Sequence, residues 1–462
     1  MRREHFYYIL LPVLVLLATN PVRSAEEPKR PNIVFILADD LGYGDVGCYG
    51  QKQIQTPSID RLAAEGTRFT QCYAGCTVCA PSRCVLMTGL HTGHCQVRGN
   101  ARVPLRPEDT TVAEVLKAAG YRTGIIGKWG LGEPDSTGIP NKKGFDYWFG
   151  YLNQAHAHNY YPDYLWRNQE KVPLPNIVEK GVATKKVVYS ADLFAEEALR
   201  FVEREKDKPF FLYLALTIPH ANNEAGKEGM EVPSDAPYSD KPWPQPQKNH
   251  AAMITRMDRD IGKLLQKLKD LKLDEKTIVF FTSDNGPHKE GGGDPKFFQS
   301  SGPLRGIKRD LTEGGIRVPM IVRWPGKVPA GQTSDQVWSF ADVLPTAAEL
   351  AGAKPPERID GISVVPALLG EKHAGRKQPQ HAFLYWEFHE GGFIQAVRMG
   401  DWKYLRRPYG KDPTPELYDL KTDLAENKNV AAENKEVVAK IETYLKTART
   451  DSKDWPVPPL KK

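Results

Sequence analysis

The chain has 462 residues, 40% of them hydrophobic and 26% charged, the balance of a folded globular protein with room for a large domain and a smaller one. Its net charge of +6 comes from 63 basic and 57 acidic residues, and the lysines are scattered along the chain. Nucleic-acid binding needs a concentrated basic face, which these lysines do not form, so no nucleic-acid partner is expected although charge alone decides nothing, and the composition fits neither disorder nor a fibrous repeat.

The first 24 residues differ from the rest. Arg2 and Arg3 precede an apolar run from Tyr7 to Ala18, too short to span a bilayer comfortably but suited to the core of a signal peptide. Val22 and Ser24 occupy positions −3 and −1 of a cut after Ser24; an uncleaved amino-terminal anchor is the alternative. The expectation is an exported protein, periplasmic or secreted (lysosomal or extracellular in a eukaryote), with no stable membrane insertion after cleavage. Its mature charge of about +4 mildly favours polyanions.

From residue 31 to about 350, apolar strand runs alternate with amphipathic helices. Residues 32–37 read as a strand ending in Ala38-Asp39-Asp40, and 58–64 and 109–119 as helices, the first with Ser58 as cap. Residues 122–126 form the next strand, ending at Gly127-Lys128; 191–203 a helix; and 210–216 a buried strand running into Pro219-His220. Met253, Met257, Ile261, Leu264, Leu265 and Leu268 recur at helical spacing within 250–271. Residues 277–281 make a strand that leads into Ser283-Asp284-Asn285-Gly286, followed by a strand at 319–324 and a helix at 342–350. Continuous apolar strands separated by helices predict an α/β fold with a large, mostly parallel sheet sandwiched by helices.

Residues 132–180 and 222–247 read as loops. Past residue 370 the texture changes: 381–388 and 393–405 read as strands and 433–448 as a terminal helix, a smaller C-terminal unit with an antiparallel sheet and a helix. The expected division is a signal peptide at 1–24, a main domain at 25–370 and a C-terminal subdomain at 371–462.

All six cysteines (Cys48, Cys72, Cys76, Cys79, Cys84 and Cys95) fall in one stretch, and an oxidising compartment predicts three disulfides. If another chemistry consumes Cys79, at least one of the remaining five is unpaired. The spacing Cys72-x3-Cys76-x2-Cys79 is also that of radical iron–sulfur enzymes. Export argues against that reading, as does the lack of repeated βα units after the motif.

Polar residues collect past the carboxyl ends of the strands: Asp39 and Asp40, Lys128, His220, then Asp284 and Asn285. That edge of an open parallel sheet is where ligand sites form. Three carboxylates and an amide are hard oxygen donors, favouring Ca²⁺ or Mg²⁺ over zinc. Taken alone, Asp39-Asp40-Leu41-Gly42 could equally be a strand-ending turn.

The stretch Cys79-Ala80-Pro81-Ser82-Arg83, followed by Leu86-Met87-Thr88-Gly89, resembles the sulfatase family (arylsulfatase-like, within the alkaline phosphatase superfamily), whose signature is C-x-P-S-R and then T-G. The resemblance continues in the family's order through 31–44, 127–132, Pro219-His220, 283–286, 302–319 and 416–429. It implies a sulfuric ester hydrolase acting on aryl or carbohydrate sulfates, with a sulfated small molecule or glycan as partner. A formylglycine-generating maturation enzyme would oxidise Cys79 to formylglycine. One hydroxyl of the aldehyde hydrate would attack sulfur and take up the sulfo group; the other would lose its proton and the adduct would collapse, expelling sulfate. Asp39, Asp40, Asp284 and Asn285, with residue 79, match the family's metal ligands, for Ca²⁺ rather than Mg²⁺. Arg83 matches the residue that orients the hydrate, and Lys128 and Lys308 match the lysines that hold the sulfate. His220 matches the histidine that, with a lysine, protonates the leaving oxygen.

One departure stands out. Many members read G-K-W-H-L, with the histidine a candidate base for the elimination, but this chain reads Gly127-Lys128-Trp129-Gly130-Leu131. His156 and His158 lie in the following loop as replacements, His158 preferred. The two loops at 132–180 and 222–247, with 386–392, are expected to wall the pocket, where His389 is a weak candidate for a substrate contact. Two alternatives keep the fold: a phosphonate or phosphate monoester hydrolase with the same nucleophile, and a secreted glycan-binding pseudoenzyme, which Gly130 motivates.

Overall fold

A computed structural model describes residues 1–5, 30–408 and 414–457. The apolar run and cleavage position expected within residues 1–24 lie outside the described residues. Among the described residues no helix is long and apolar enough to cross a membrane.

The strands are β1 (Asn32–Ala38), β2 (Thr67–Tyr73), β3 (Arg122–Lys128), β4 (Tyr147–Tyr151), β5 (Tyr164–Arg167), β6 (Glu170–Pro173), β7 (Ile177–Glu179), β8 (Val182–Lys185), β9 (Phe210–Ala215), β10 (Thr277–Ser283), β11 (Arg317–Arg323), β12 (Gln332–Ser334) and β13 (Trp338–Ser339). The main sheet runs β12-β2-β11-β10-β1-β9-β3-β4-β5-β6, with β13 also beside β2, while β7 and β8 pair separately. Its centre, β10-β1-β9-β3-β4, is parallel, and β11 pairs antiparallel with both β10 and β2. Every residue of β1 is buried, because the strand pleat sends Val34, Ile36 and Ala38 into one core and Ile33, Phe35 and Leu37 into the other. The helices are α1 (Pro57–Ala64), α2 (Cys79–Thr88), α3 (Val112–Ala118), α4 (Ser190–Glu205), α5 (Gln245–Asp270), α6 (Glu313–Ile316) and α7 (Val343–Leu350). α1, α4 and α5 cover the first core, and α2, α3 and α7 the second.

After two short helices, α8 (Val365–Leu369) and α9 (Glu371–Ala374), comes a four-stranded antiparallel sheet of β14 (Leu384–Phe388), β15 (Ile394–Met399), β16 (Trp402–Arg406) and β17 (Glu416–Asp419). α10 (Lys435–Leu445) lays Ile441 and Leu445 against Val397, Tyr404 and Leu417 of that sheet.

Several expectations shift in detail. The single strand expected at 393–405 is the hairpin β15–β16. Residues 132–180 carry the short strands β4 to β7, each of three to five residues. The helix expected from 109 starts at Val112, where Thr111 and Glu114 form a reciprocal capping box. Ser58 does not cap α1; the Asp258 carboxylate accepts the backbone N–H groups of Ser58 and Ile59 at 3.1 and 2.7 Å.

The cysteine expectation is corrected. All six are free, five of them buried. Five of them pack as small hydrophobes in or against three apolar clusters, Cys72, Cys84 and Cys95 sharing one, while Cys79 faces the Asp39 carboxylate.

The C-terminal sheet is tied to the main domain at Glu387, which is fully buried and accepts from Arg98 at 3.0 Å, Arg449 at 2.9 Å, Tyr385 at 2.8 Å and His389 at 3.1 Å. His389 therefore packs as a partner of Glu387, against Phe393 and Trp455, and does not line the cavity that holds Cys79. Burial pushes the Glu387 carboxyl up, but His389, Arg98 and Arg449 together hold it down at about 2. A depressed folded value means stability that is complete above the ordinary value of 4.5 and is lost as pH falls toward 2. Glu387→Gln is expected to lower the unfolding free energy at neutral pH by about 3–5 kcal/mol, the cost of leaving buried cations unpaired. Denaturant titrations should show that deficit narrowing as the pH falls below the carboxylate's ordinary range; a deficit independent of pH would count against the charge network.

Candidate active site

The parallel register carries past the strand ends. Ala38 pairs with Ser283, the Asp284 N–H reaches Ala38 O at 3.1 Å, and the Asp39 N–H reaches Ile218 O at 2.9 Å. The segments after β1, β9 and β10 are thereby held side by side at the carboxyl edge of the sheet. Asp39, Asp40, His220, Asp284 and Asn285 converge there, all buried.

α2 enters the same point from the opposite core. Cys79 is its first residue, and Pro81 sits in the first turn, where a missing N–H costs no helical hydrogen bond. Ser82 Oγ donates to Asp284 O at 2.5 Å and accepts from Gly75 N at 3.1 Å, fastening the start of the helix to the end of β10. One turn on, Arg83 points back into the site. It gives two hydrogen bonds to Asp284 Oδ2, at 3.0 and 2.9 Å, and one to Lys128 O at 2.7 Å, and lies 3.4 Å from Asp39.

Lys128 ends β3, and Gly127 before it explains how. Its φ is +111°, and a Cβ there would stand 1.9 Å from Ala215 O, so only glycine lets β3 run this close to β9 as it turns its lysine inward. Lys128 Nζ then reaches Asp39 Oδ2 at 2.8 Å. Lys308 comes from the loop before α6 and donates to Asp40 Oδ2 at 2.8 Å and to His220 Nε2 at 3.1 Å. His220 Nδ1 donates to Ala221 O at 2.6 Å, so the tautomer is set, with Nε2 as acceptor. Cys79 Sγ lies 3.3 Å from Asp39 Oδ1.

The electrostatics follow from burial. Burial pushes Asp284 up, Asp39 adds to it, and the carboxyl reaches about 7 despite Arg83. Burial also acts on Asp39, but Lys128 and Arg83 hold it far below the usual carboxylate range. Burial works against the charge on Lys308, yet Asp40 raises it above its ordinary value; burial and Lys308 push His220 well down, to the neutral imidazole. Asn285 Nδ2 donates to Asp40 Oδ1 at 2.6 Å, while its Oδ1 is buried with no partner. Asp39, Asp40, Cys79 and His220 present ligand atoms all within 4.8 Å of one another, an acidic cluster able to hold a metal.

Cys79, His220 and Lys308 open on a cavity of about 220 Å³. His158 lines it too, stacked on His220 with ring centroids 5.0 Å apart, its Nδ1 3.1 Å from the Glu224 carboxylate. Burial and Lys128 push His158 down, while Glu224 pulls the other way. His156 is not part of this group: its ring packs on Tyr164 and Tyr151. Glu224 and Gln154 were not foreseen. Both sit in loop segments with no motif, far in sequence from the residues they meet.

The family model described as Sulfatase matches residues 31–353, and one for the C-terminal region of N-sulphoglucosamine sulphohydrolase matches 307–451. The chain is 34% identical over 416 residues to N-acetylgalactosamine-6-sulfatase of Canis lupus familiaris, covering 85% of this chain and 74% of that protein. It is 34% identical over 457 residues to arylsulfatase A of Homo sapiens, covering 87% and 83%. Among solved structures, Ps i-CgsB in complex with k-i-k-neocarrahexaose superposes with a TM-score of 0.77 at 30% identity, over 93% of this chain and 95% of that one.

Proposed function

The chain belongs to the sulfatase family and is a sulfuric ester hydrolase, and on that premise we propose that it hydrolyses carbohydrate sulfates with a formylglycine made from Cys79 at a calcium site. The observation that carries this reading is the position of Cys79. It sits at the floor of the cavity, beside Asp39, where three buried carboxylates meet three buried cations. When formed, formylglycine would supply a hydrate nucleophile that can both accept the sulfo group and release it.

The chain's own residues divide the remaining work. Lys128 and Lys308 face the sulfate oxygens, and Arg83 fixes residue 79 from one helical turn away. The proton for the leaving oxygen comes from the charged Lys308 amine, with neutral His220 accepting from Lys308 and directing it. His158 takes the role left open at Gly130: Glu224 holds its Nδ1, leaving Nε2 to accept a proton at residue 79. Three carboxylates and the orphan Asn285 Oδ1 fit Ca²⁺ better than smaller Mg²⁺. Bound there, calcium would polarise the sulfate and lower the proton affinity of the hydrate.

A carbohydrate ester fits the walls better than an aryl one. Asn100, Arg102, Glu133, Asn153 and Asn223 line the cavity, and among its described lining residues there is no Phe, Tyr or Trp. The N-acetylgalactosamine-6-sulfatases and the neocarrahexaose complex point the same way. We further propose export after cleavage near Ser24, conversion of Cys79 by a maturation enzyme in the producing cell, and a division of the mature chain near residue 370.

On matured protein, sulfated mono- and oligosaccharides and a nitrophenyl sulfate are expected to turn over at least tenfold faster, by kcat/KM, than the matching phosphate and phosphonate esters. Mass spectrometry of the Cys79 peptide should show the thiol replaced by an aldehyde. Faster phosphonate turnover would install the alternative hydrolase, and a wholly unconverted native pool the pseudoenzyme.

Calcium at a hundredfold excess over its Kd is expected to add about 2.7 kcal/mol to stability, seen as a raised Tm even without substrate. Asn285→Ala should lose most of that increment; a calcium response equal to the native one would remove Asn285 from the ligand set. His158→Ala is expected to cut steady-state turnover about 10²- to 10⁴-fold while the first turnover stays fast, giving a burst of nitrophenol. Full turnover in that variant ends the assignment.

A further inference from the structure

Gly130 lacks a side chain, but the space beside it is filled. Its φ is +81°, and a Cβ built there would lie 2.2 Å from Gln154 Nε2 and 3.1 Å from Gln154 Cδ. The register explains the meeting: the Trp129 N–H bonds Tyr151 O and the Gly130 N–H bonds Leu152 O, each at 3.0 Å, so the chain leaving β3 runs beside the chain leaving β4. Asn153 then anchors the turn, donating to Glu133 at 3.1 Å and accepting from the His156 N–H at 3.1 Å. The next residue, Gln154, extends its amide across Gly130.

That amide ends in a buried Nε2 with no hydrogen-bond partner. Leaving such a donor unpaired is costly, and native structures keep few of them without a reason. Gln154 lines the same cavity as Cys79, His158, His220 and Lys308. The cations that converge there, Lys128, Lys308 and Arg83, each already donate to a carboxylate, so the monoanionic head of a sulfate ester would gain from a donor that is not so engaged. A neutral N–H with nothing to bond is suited to one of its oxygens.

We propose that Gln154 is a further catalytic residue, donating its Nε2–H to a non-bridging oxygen of the sulfate group, and that residue 130 is glycine because this amide occupies its side-chain space. The inference rests on the sulfatase reading and adds a donor to it. An amide has no useful basicity, so Gln154 holds the sulfate without exchanging a proton, and proton transfer is left to Lys308 and His158.

The test uses the full matured chain with calcium and three readouts: kcat/KM on nitrophenyl sulfate, the inhibition constant of inorganic sulfate, and Tm without ligand. Gln154→Ala is expected to lower kcat/KM about 10- to 100-fold and to raise the sulfate inhibition constant in parallel, the range of one hydrogen bond to a charged group. Its ligand-free Tm should hold or rise, because the substitution removes an unpaired donor; a residue that only packs would lower it. Gln154→Glu should fall below Gln154→Ala, since a carboxylate would face the sulfate. The proposal is overturned if Gln154→Ala stays within about twofold of native in both kinetic readouts, or if it loses activity with an unchanged sulfate inhibition constant. Failure of the underlying reading looks different: native protein with Cys79 converted would neither turn over the sulfate ester nor bind inorganic sulfate.

Discussion

Asp39, Asp40 and Asp284 are buried together at the ends of β1 and β10, and that crowding is the constraint from which the site follows. An ionised carboxylate taken out of water costs several kcal/mol, and three near one another add mutual repulsion. The chain answers with cations brought in from three separate segments: Arg83 from α2, Lys128 from the end of β3 and Lys308 from the loop before α6. Even so the balance is incomplete, since Asp284 is pushed up to about 7 and Asn285 Oδ1 has no partner. An added divalent cation would relieve both, which is the physical case for a metal here.

That demand explains features that otherwise look unrelated. Gly127 has no side chain so that β3 can press against β9 and deliver Lys128 inward. Ser82 ties the start of α2 to Asp284 O, so the helix that carries residue 79 and Arg83 is fixed to the strand that carries the carboxylate they face. The C-terminal sheet secures the same helix entry from outside. Trp386 Nε1 donates to Ala74 O at 2.9 Å and Cys76 Sγ contacts Glu387 O at 3.6 Å, just ahead of Cys79. A change at the Glu387 junction would therefore reach Cys79 through a few covalent links.

The sequence showed the parallel core and its polar edge because buried parallel strands are uninterrupted apolar runs and ligand residues follow them directly. Asp39, Asp40, Lys128, His220, Asp284 and Asn285 converge as their positions after the strands suggested, and Arg83 and Lys308, which only the family resemblance pointed to, join them. α2 was not legible: all ten of its residues are buried, so it has no apolar stripe to give a helical period. The short strands β4 to β7 were hidden in a stretch rich in turn residues, too brief to show alternation. Disulfides were expected from compartment alone, yet pairing depends on where the backbone puts each Cβ, and here the thiols disperse among core clusters. Gln154 and Glu224 were beyond reach for a related reason, since each acts through a loop contact that no local pattern encodes.

Gly130 shows how a motif position can change while the site around it stays intact. A histidine there would supply volume, a hydrogen bond and a titratable nitrogen from one side chain. In this chain those properties are separable: the Gln154 amide supplies the volume and a donor, and the stacked His158–His220 pair offers imidazoles in the same cavity, one held by Glu224 and the other by Lys308. The neutral state of both rings is favoured by burial and by the nearby lysine ammonium groups, so His220 Nε2 accepts from Lys308 and His158, held by Glu224 at Nδ1, keeps its Nε2 as an acceptor. On the proposed reading, neutral His158 and His220 and the neutral Gln154 amide would add proton-accepting and hydrogen-bonding groups without adding charge to a site that already buries three carboxylates and three cations.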